Sequence, residues 1–151
     1  PADKFIGAKI SGSDFVPGAW SPDDAVVYAG ELKKAGADYV TVSGGGVVLD
    51  AQVPVAPGYQ VPFAERVKRE TGICTGAVGL ITDPHQAEAV LAAGQADFIS
   101  IARALLFNPR WGQHAAVALG ADDAGVPYAK QYDRGSPRLW PPGKTMGKLG
   151  A

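Results

Sequence analysis

Apolar residues in this chain gather in short blocks, and between the blocks they recur at helical spacing. Three stretches share one grammar: ELKKAGADYVTVSGG, RVKRETGICTGAVG and EAVLAAGQADFISIAR. Each runs from a helix end through a glycine and a short link into an apolar strand that finishes in small residues. AGADYV and AGQADFI are nearly the same words. Gly36, Gly72 and Gly94 stand where a helix has to stop in the left-handed region, which glycine enters without a side-chain clash. The element repeats at roughly 25 to 35 residues, the size of a βα unit.

The blocks predict strands near residues 5–10, 38–43, 74–78 and 97–102. They read as continuous rather than alternating in hydrophobicity, the pattern of a parallel sheet covered on both faces. SPDDAVVYAGELKKAG predicts a helix with Ser21 as N-cap, Pro22 at the first helical position and two acids in the first turn. DPHQAEAVLAAG repeats the device with Asp83 and Pro84, and Ala87, Val90 and Leu91 form its inward stripe. A third helix is expected from about Pro62 to Thr71 and a fourth from Pro109 to about Leu119, with Leu105 and Leu106 in a helical first turn. From Lys130 onward the chain carries five basic residues against one acid and is rich in proline and glycine. That segment predicts irregular structure lying against a surface.

The fold class is therefore α/β: four βα units over residues 1–120 and an irregular tail over residues 121–151. A complete (β/α)8 barrel takes roughly 250 residues, so four units predict half of a TIM barrel or an open doubly wound sheet. A doubly wound sheet binds its ligand at a strand-order switch, often at the first βα turn. Here that turn, ISGSDFVPGAW, is no phosphate-binding fingerprint. The anion-binding signals lie on the third and fourth units instead. In the second half of a barrel these are strands seven and eight, where phosphate sites commonly form. A half barrel leaves two raw parallel edges.

Composition narrows the class. The chain is 46% hydrophobic and 19% charged, a globular rather than a disordered balance. A net charge of −1 gives no basic field, so neither nucleic acid nor a membrane is expected as partner. The apolar runs fall far short of a membrane span, and no charged-then-apolar leader opens the sequence. Cys74 is the only cysteine, which suits a reducing cytoplasm. The sequence starts at Pro1 without an initiator Met and reads as a processed or nicked piece of something longer.

Candidate chemistry gathers at strand ends. GAVGLITDP puts Gly79 just past a strand and before the expected N-cap Asp83, where backbone can approach a ligand closely. SIARALL puts Ala102 and Arg103 at the matching place one unit later. Two adjacent strand ends thus offer backbone N–H groups and a guanidinium to one spot, and phosphate oxygens match the planar fork. The competing reading makes Gly79 a plain turn and pairs Arg103 with a surface acid. Lys9, inside the apolar strand FIGAKIS, either points a cation into a barrel mouth or guards an edge strand against aggregation, and spacing alone favours the guard. VSGGG after the second strand is weak support for a flat ligand. Cys74 reads as a core filler, and His85 and His114 as surface residues. No metal-ligand cluster or nucleophile–base pair assembles from this sequence.

The stretch GYQVPFAERVKRETGICTGAVGLITDPHQAEAVLAAGQADFISIARALLFNPRW closely resembles the old yellow enzyme family of FMN-dependent ene-reductases, in particular its thermophilic-like branch. KISGSDFVPGAW and YVTVSGGG match as well, so the resemblance runs from about Phe5 to Gly135 and covers the second half of that family's (β/α)8 barrel. It implies FMN across the barrel mouth, NAD(P)H as reductant, and hydride delivery from flavin N5 to the β-carbon of an activated, enone-type alkene. It implies that the backbone around Gly79 and Ala102, with Arg103, holds the FMN phosphate; the family usually has glycine where Ala102 stands. Lys9 matches an arginine facing the flavin N1–C2=O edge, where a cation stabilises the anionic reduced flavin. QYDRG resembles the segment whose arginine enters a neighbouring subunit's active site, which makes Arg134 a substrate-binding residue, Tyr132 its packing partner and the chain a homo-oligomer.

The family's substrate-gripping His pair, its proton-donating tyrosine and its flavin-tuning Cys or Thr lie in the first half of the barrel, outside this sequence. The leading expectation is accordingly a cofactor-anchoring half, active with an N-terminal half supplied as a separate or cleaved chain. Two alternatives stand beside it. One is a non-catalytic half barrel, alone or closed with a second copy by two-fold symmetry. The other is a phosphate-binding barrel fragment of an unrelated lyase or isomerase.

Overall fold

The structure, a computed structural model, describes residues 3–121, 126 and 128–141. Its elements follow in the order β1 (Gly7–Ser11), α1 (Pro22–Lys34), β2 (Tyr39–Ser43), α2 (Val61–Thr71), β3 (Cys74–Ala77), α3 (Pro84–Ala92), β4 (Phe98–Ile99), α4 (Arg103–Phe107) and α5 (Trp111–Ala118). A 3-10 helix covers Lys130–Gly135. Two compact units emerge, one within Pro1–Thr82 and Ala87–Ile101, the other within Asp83–Gln86 and Ala102–Ala151.

The first unit holds the sheet. All three pairings are parallel and the spatial order is β1-β2-β3-β4, with no strand inserted out of sequence. Sequential order without a switch point is barrel connectivity and removes the doubly wound alternative. The helix signals act as the sequence predicts. Ser21 and Asp24 form a reciprocal capping box at the start of α1, and Gly72 closes α2 in the left-handed region at φ 62°.

The two faces of the sheet differ, which corrects the expectation of cover on both. Register places Ile10, Val40, Val42, Thr75 and Ala77 on one face, and all are buried, with α1 and α2 supplying Ala29, Ala64 and Val67 to the same core. The other face carries Lys9, Ser11, Tyr39, Thr41, Ser43, Cys74 and Phe98, half-buried or exposed. Strand residues thus alternate. The apparent continuity came from Tyr39 and Phe98, whose rings lie over Gly7 and Gly76 and meet edge to face at 5.5 Å. Cys74 is exposed on this bare face rather than filling the core. Partial burial and the nearby Asp97 carboxylate push its thiol pKa up.

Lys68 on α2 ties the start of β4 to the sheet. Its Nζ lies 3.0 Å from Asp97, whose other oxygen accepts the Thr75 N–H at 2.8 Å. Burial works against the Asp97 anion, but the Thr75 N–H and Lys68 overcome it and hold the carboxyl below its ordinary value. A depressed carboxylate contributes stability that is complete above its unfolded value of about 3.9 and lost as pH falls through its folded value. Asp97→Asn should therefore lower stability at neutral pH and flatten the acid limb below about pH 4. Urea melts of both proteins at pH 7 and pH 3 check this; identical pH dependence contradicts it.

In the second unit the tail is more regular than its composition suggests. The 3-10 helix at Lys130–Gly135 is followed by Ser136, fully buried, while Arg138 Nη2 donates to both Asp133 carboxylate oxygens at 3.1 Å. Local bonds order a proline-rich segment that lacks helical periodicity. His85 is exposed as expected, but His114 is half-buried, its Nδ1 2.8 Å from the Asn108 amide nitrogen. The expected fourth helix is α5, and Leu105 and Leu106 belong to the separate short α4.

Candidate functional site

Lys9 occupies the middle of β1, opposite Thr41, and projects from the bare face. Among the described residues β1 pairs with β2 alone, so Lys9 sits on an edge strand. No carboxylate among the described residues pairs with Lys9. The surrounding side chains on that face are short hydroxyls: Thr41 Oγ1 stands 3.3 Å from Ser100 Oγ, and Ser11 and Ser43 face each other in register. A cation in this setting is available to a negatively charged ligand edge.

Gly79 lies two residues past β3, buried, at φ +116°. A side chain there would be crowded as well as strained by φ: a Cβ would stand 3.1 Å from both the backbone nitrogen and the Cβ of Gln60. The Gly79 carbonyl accepts the Gly58 N–H at 2.7 Å, and Leu80 follows in the left-handed region at φ 51°. The Gly79 backbone is thus held at close range by the segment before α2. Gly79→Ala should cost about 1–3 kcal/mol through the disfavoured φ, before any effect on a ligand. Chemical denaturation measures it; a loss under about 0.5 kcal/mol contradicts the close packing.

Ala102, Arg103 and Arg134 belong to the second unit, and Lys9 and Gly79 to the first. Ala102 is exposed and precedes α4, its carbonyl accepting the Leu105 and Leu106 N–H groups at 3.0 and 3.1 Å. Arg103 is the first residue of α4 and is exposed, and among the described residues no carboxylate pairs with it. The surface-acid reading of Arg103 thus finds no partner there. Arg134 is exposed in the last turn of the 3-10 helix. Tyr132, expected to pack with Arg134, carries the Arg110 guanidinium 5.0 Å above its ring. Among the described residues no cluster of three or more His, Cys, Asp or Glu is placed to hold a metal ion, and no helix is long and apolar enough to cross a membrane.

Sequence reasoning missed two residues. Gln60 is 5% exposed and reaches both the β2 end and the Gly79 backbone. Trp20 donates its indole N–H to the Ser11 carbonyl at 2.6 Å and stacks edge-on against Tyr28. The available signal for Gln60 was a long polar side chain directly before an amphipathic helix, where a short capping residue is the rule.

Residues 4–121 match the NADH:flavin oxidoreductase / NADH oxidase family. Curated relatives include the NADPH dehydrogenases of Geobacillus sp. (strain WCH70), 48% identical over 133 residues, and of Geobacillus thermodenitrificans, 49% identical over 133 residues. The enzyme of the same name from Halalkalibacterium halodurans is 45% identical over 132 residues. These alignments cover 87–88% of this chain but 38% of each relative, so the chain spans well under half of their length. The match over residues 4–121, with a parallel sheet in sequential order beneath it, shows that this chain belongs to the NADH:flavin oxidoreductase / NADH oxidase family.

Proposed function

We propose that this chain is the cofactor-phosphate half of an FMN-dependent oxidoreductase of ene-reductase type, corresponding to strands five to eight of a (β/α)8 barrel. The observation that carries the reading is the bare sheet face with Lys9 on it, flanked by β1 and β4, each paired on one side among the described residues. Closing eight strands into a barrel covers such a face with other strands rather than with helices. FMN, when bound, supplies hydride transfer from NAD(P)H to an activated C=C bond.

In this reading the Gly79 and Ala102 backbones and the Arg103 fork take the phosphate, and the Ala102 methyl narrows the approach relative to glycine. Lys9 holds a positive charge at the flavin N1–C2=O edge and stabilises negative charge developing there. Arg134 reaches the substrate site of a neighbouring subunit, so the tail is a homo-oligomer surface. The missing N-terminal half, as a separate or cleaved chain, grips an enone-type substrate. The one cysteine in this sequence accords with a cytoplasmic setting.

Co-expression with the part of the Geobacillus thermodenitrificans NADPH dehydrogenase that this chain does not match tests the reading. The expected product is a yellow complex that oxidises NAD(P)H in the presence of an enone, while the chain alone is colourless. A folded, colourless complex contradicts it. A flavin-free dimer of the chain that ignores the added half supports a symmetric, non-catalytic half barrel instead.

A further inference from the structure

Three loops leave the carboxyl ends of β1, β2 and β3, and hydrogen bonds lace them together. The Gly45 N–H donates to the Ser13 carbonyl at 3.1 Å, joining the first two. The Gly58 N–H donates to the Gly79 carbonyl at 2.7 Å, joining the segment before α2 to the third. Gln60 completes the lacing from the N-cap position of α2, where its side chain does not cap the helix. Its Nε2 donates to the Gly44 carbonyl at 2.7 Å and to the Tyr59 hydroxyl at 2.8 Å. Its own backbone nitrogen and Cβ lie beside Gly79, 3.1 Å from where a Cβ there would stand.

A buried amide is suited to this place. It offers two donors from one nitrogen, and both are used. An ionised glutamate of the same shape has no donor and would set a carboxylate against the Gly44 carbonyl. Methionine fills the volume without any hydrogen bond. Gln60 therefore anchors the segment before α2 to Gly44, just past β2, and the same segment bonds the Gly79 carbonyl through the Gly58 N–H.

We propose that Gln60 is a positioning residue that sets the Gly79 backbone for the FMN phosphate by fixing it to the loop following β2. The inference rests on the reading of Gly79 as phosphate-binding backbone. Its test is the ratio of FMN to riboflavin affinity, measured by flavin fluorescence in the complemented protein, for wild type, Gln60→Met and Gln60→Glu. The two ligands differ only in the phosphate, so a general loosening of the fold weakens both alike. Positioning predicts that FMN affinity falls about tenfold in both variants while riboflavin affinity holds. Equal losses for the two flavins, or an unchanged ratio, overturn the role of Gln60. If wild type itself fails to prefer FMN, the phosphate reading of Gly79 falls first. Should Gln60→Met not fold, Gln60→Glu, which keeps the shape, supplies the same comparison.

Discussion

Arg103→Ala is expected to weaken FMN retention in the complemented protein by about 1.5–3 kcal/mol, the worth of a hydrogen bond to a charged group. That corresponds to a loss of roughly ten- to a hundredfold in affinity. Arg103→Lys should recover part of it, because lysine keeps the charge and loses the planar fork. The expectation stands on the exposure of Arg103 and on the absence of a carboxylate partner among the described residues. An arginine that only decorates the surface is worth under about 1 kcal/mol, and its removal leaves flavin retention unchanged. Equilibrium dialysis of the two variants separates these outcomes.

The second large effect belongs to Lys9. Removing the cation by Lys9→Ala should slow flavin reduction by NAD(P)H on the order of a hundredfold, the scale for losing one preorganised stabiliser of developing charge. The midpoint potential of the flavin should fall with it, since the reduced, more negative form loses its counter-charge. Lys9→Arg restores the cation and should recover most of the rate. An edge-guarding lysine behaves differently: Lys9→Ala then leaves the kinetics intact and promotes aggregation of the uncomplemented chain. Stopped-flow reduction and light scattering on the same preparations distinguish the roles.

Much of the fold was legible because its signals are local. Ser21, Pro22 and Asp24 specify the start of α1 by their own chemistry, and Gly72 its counterpart at the end of α2. The positions of all four strands followed from apolar blocks bounded by those punctuation marks. The bare face was hidden because Tyr39 and Phe98 are aromatic, and strand hydrophobicity does not reveal that a ring lies flat over a glycine on the adjacent strand. Cys74 was misplaced for the same reason: its face was unknown until register fixed it. At the candidate site, Gly79 and Arg103 stood out through residue type and spacing. Gln60 did not, because its work depends on Gly44 and Gly79, which lie sixteen and nineteen positions away in sequence. The order within the tail escaped prediction since Asp133–Arg138 and the burial of Ser136 leave no periodic trace.

Comparison of FMN with riboflavin by titration calorimetry, on this chain joined by the unmatched part of a Geobacillus relative, bears most directly on the claim that the last two βα units hold a phosphate. The account predicts at least tenfold tighter binding of FMN, with most of that preference gone in Arg103→Ala. Equal affinity for the two flavins in a folded, yellow complex would contradict it.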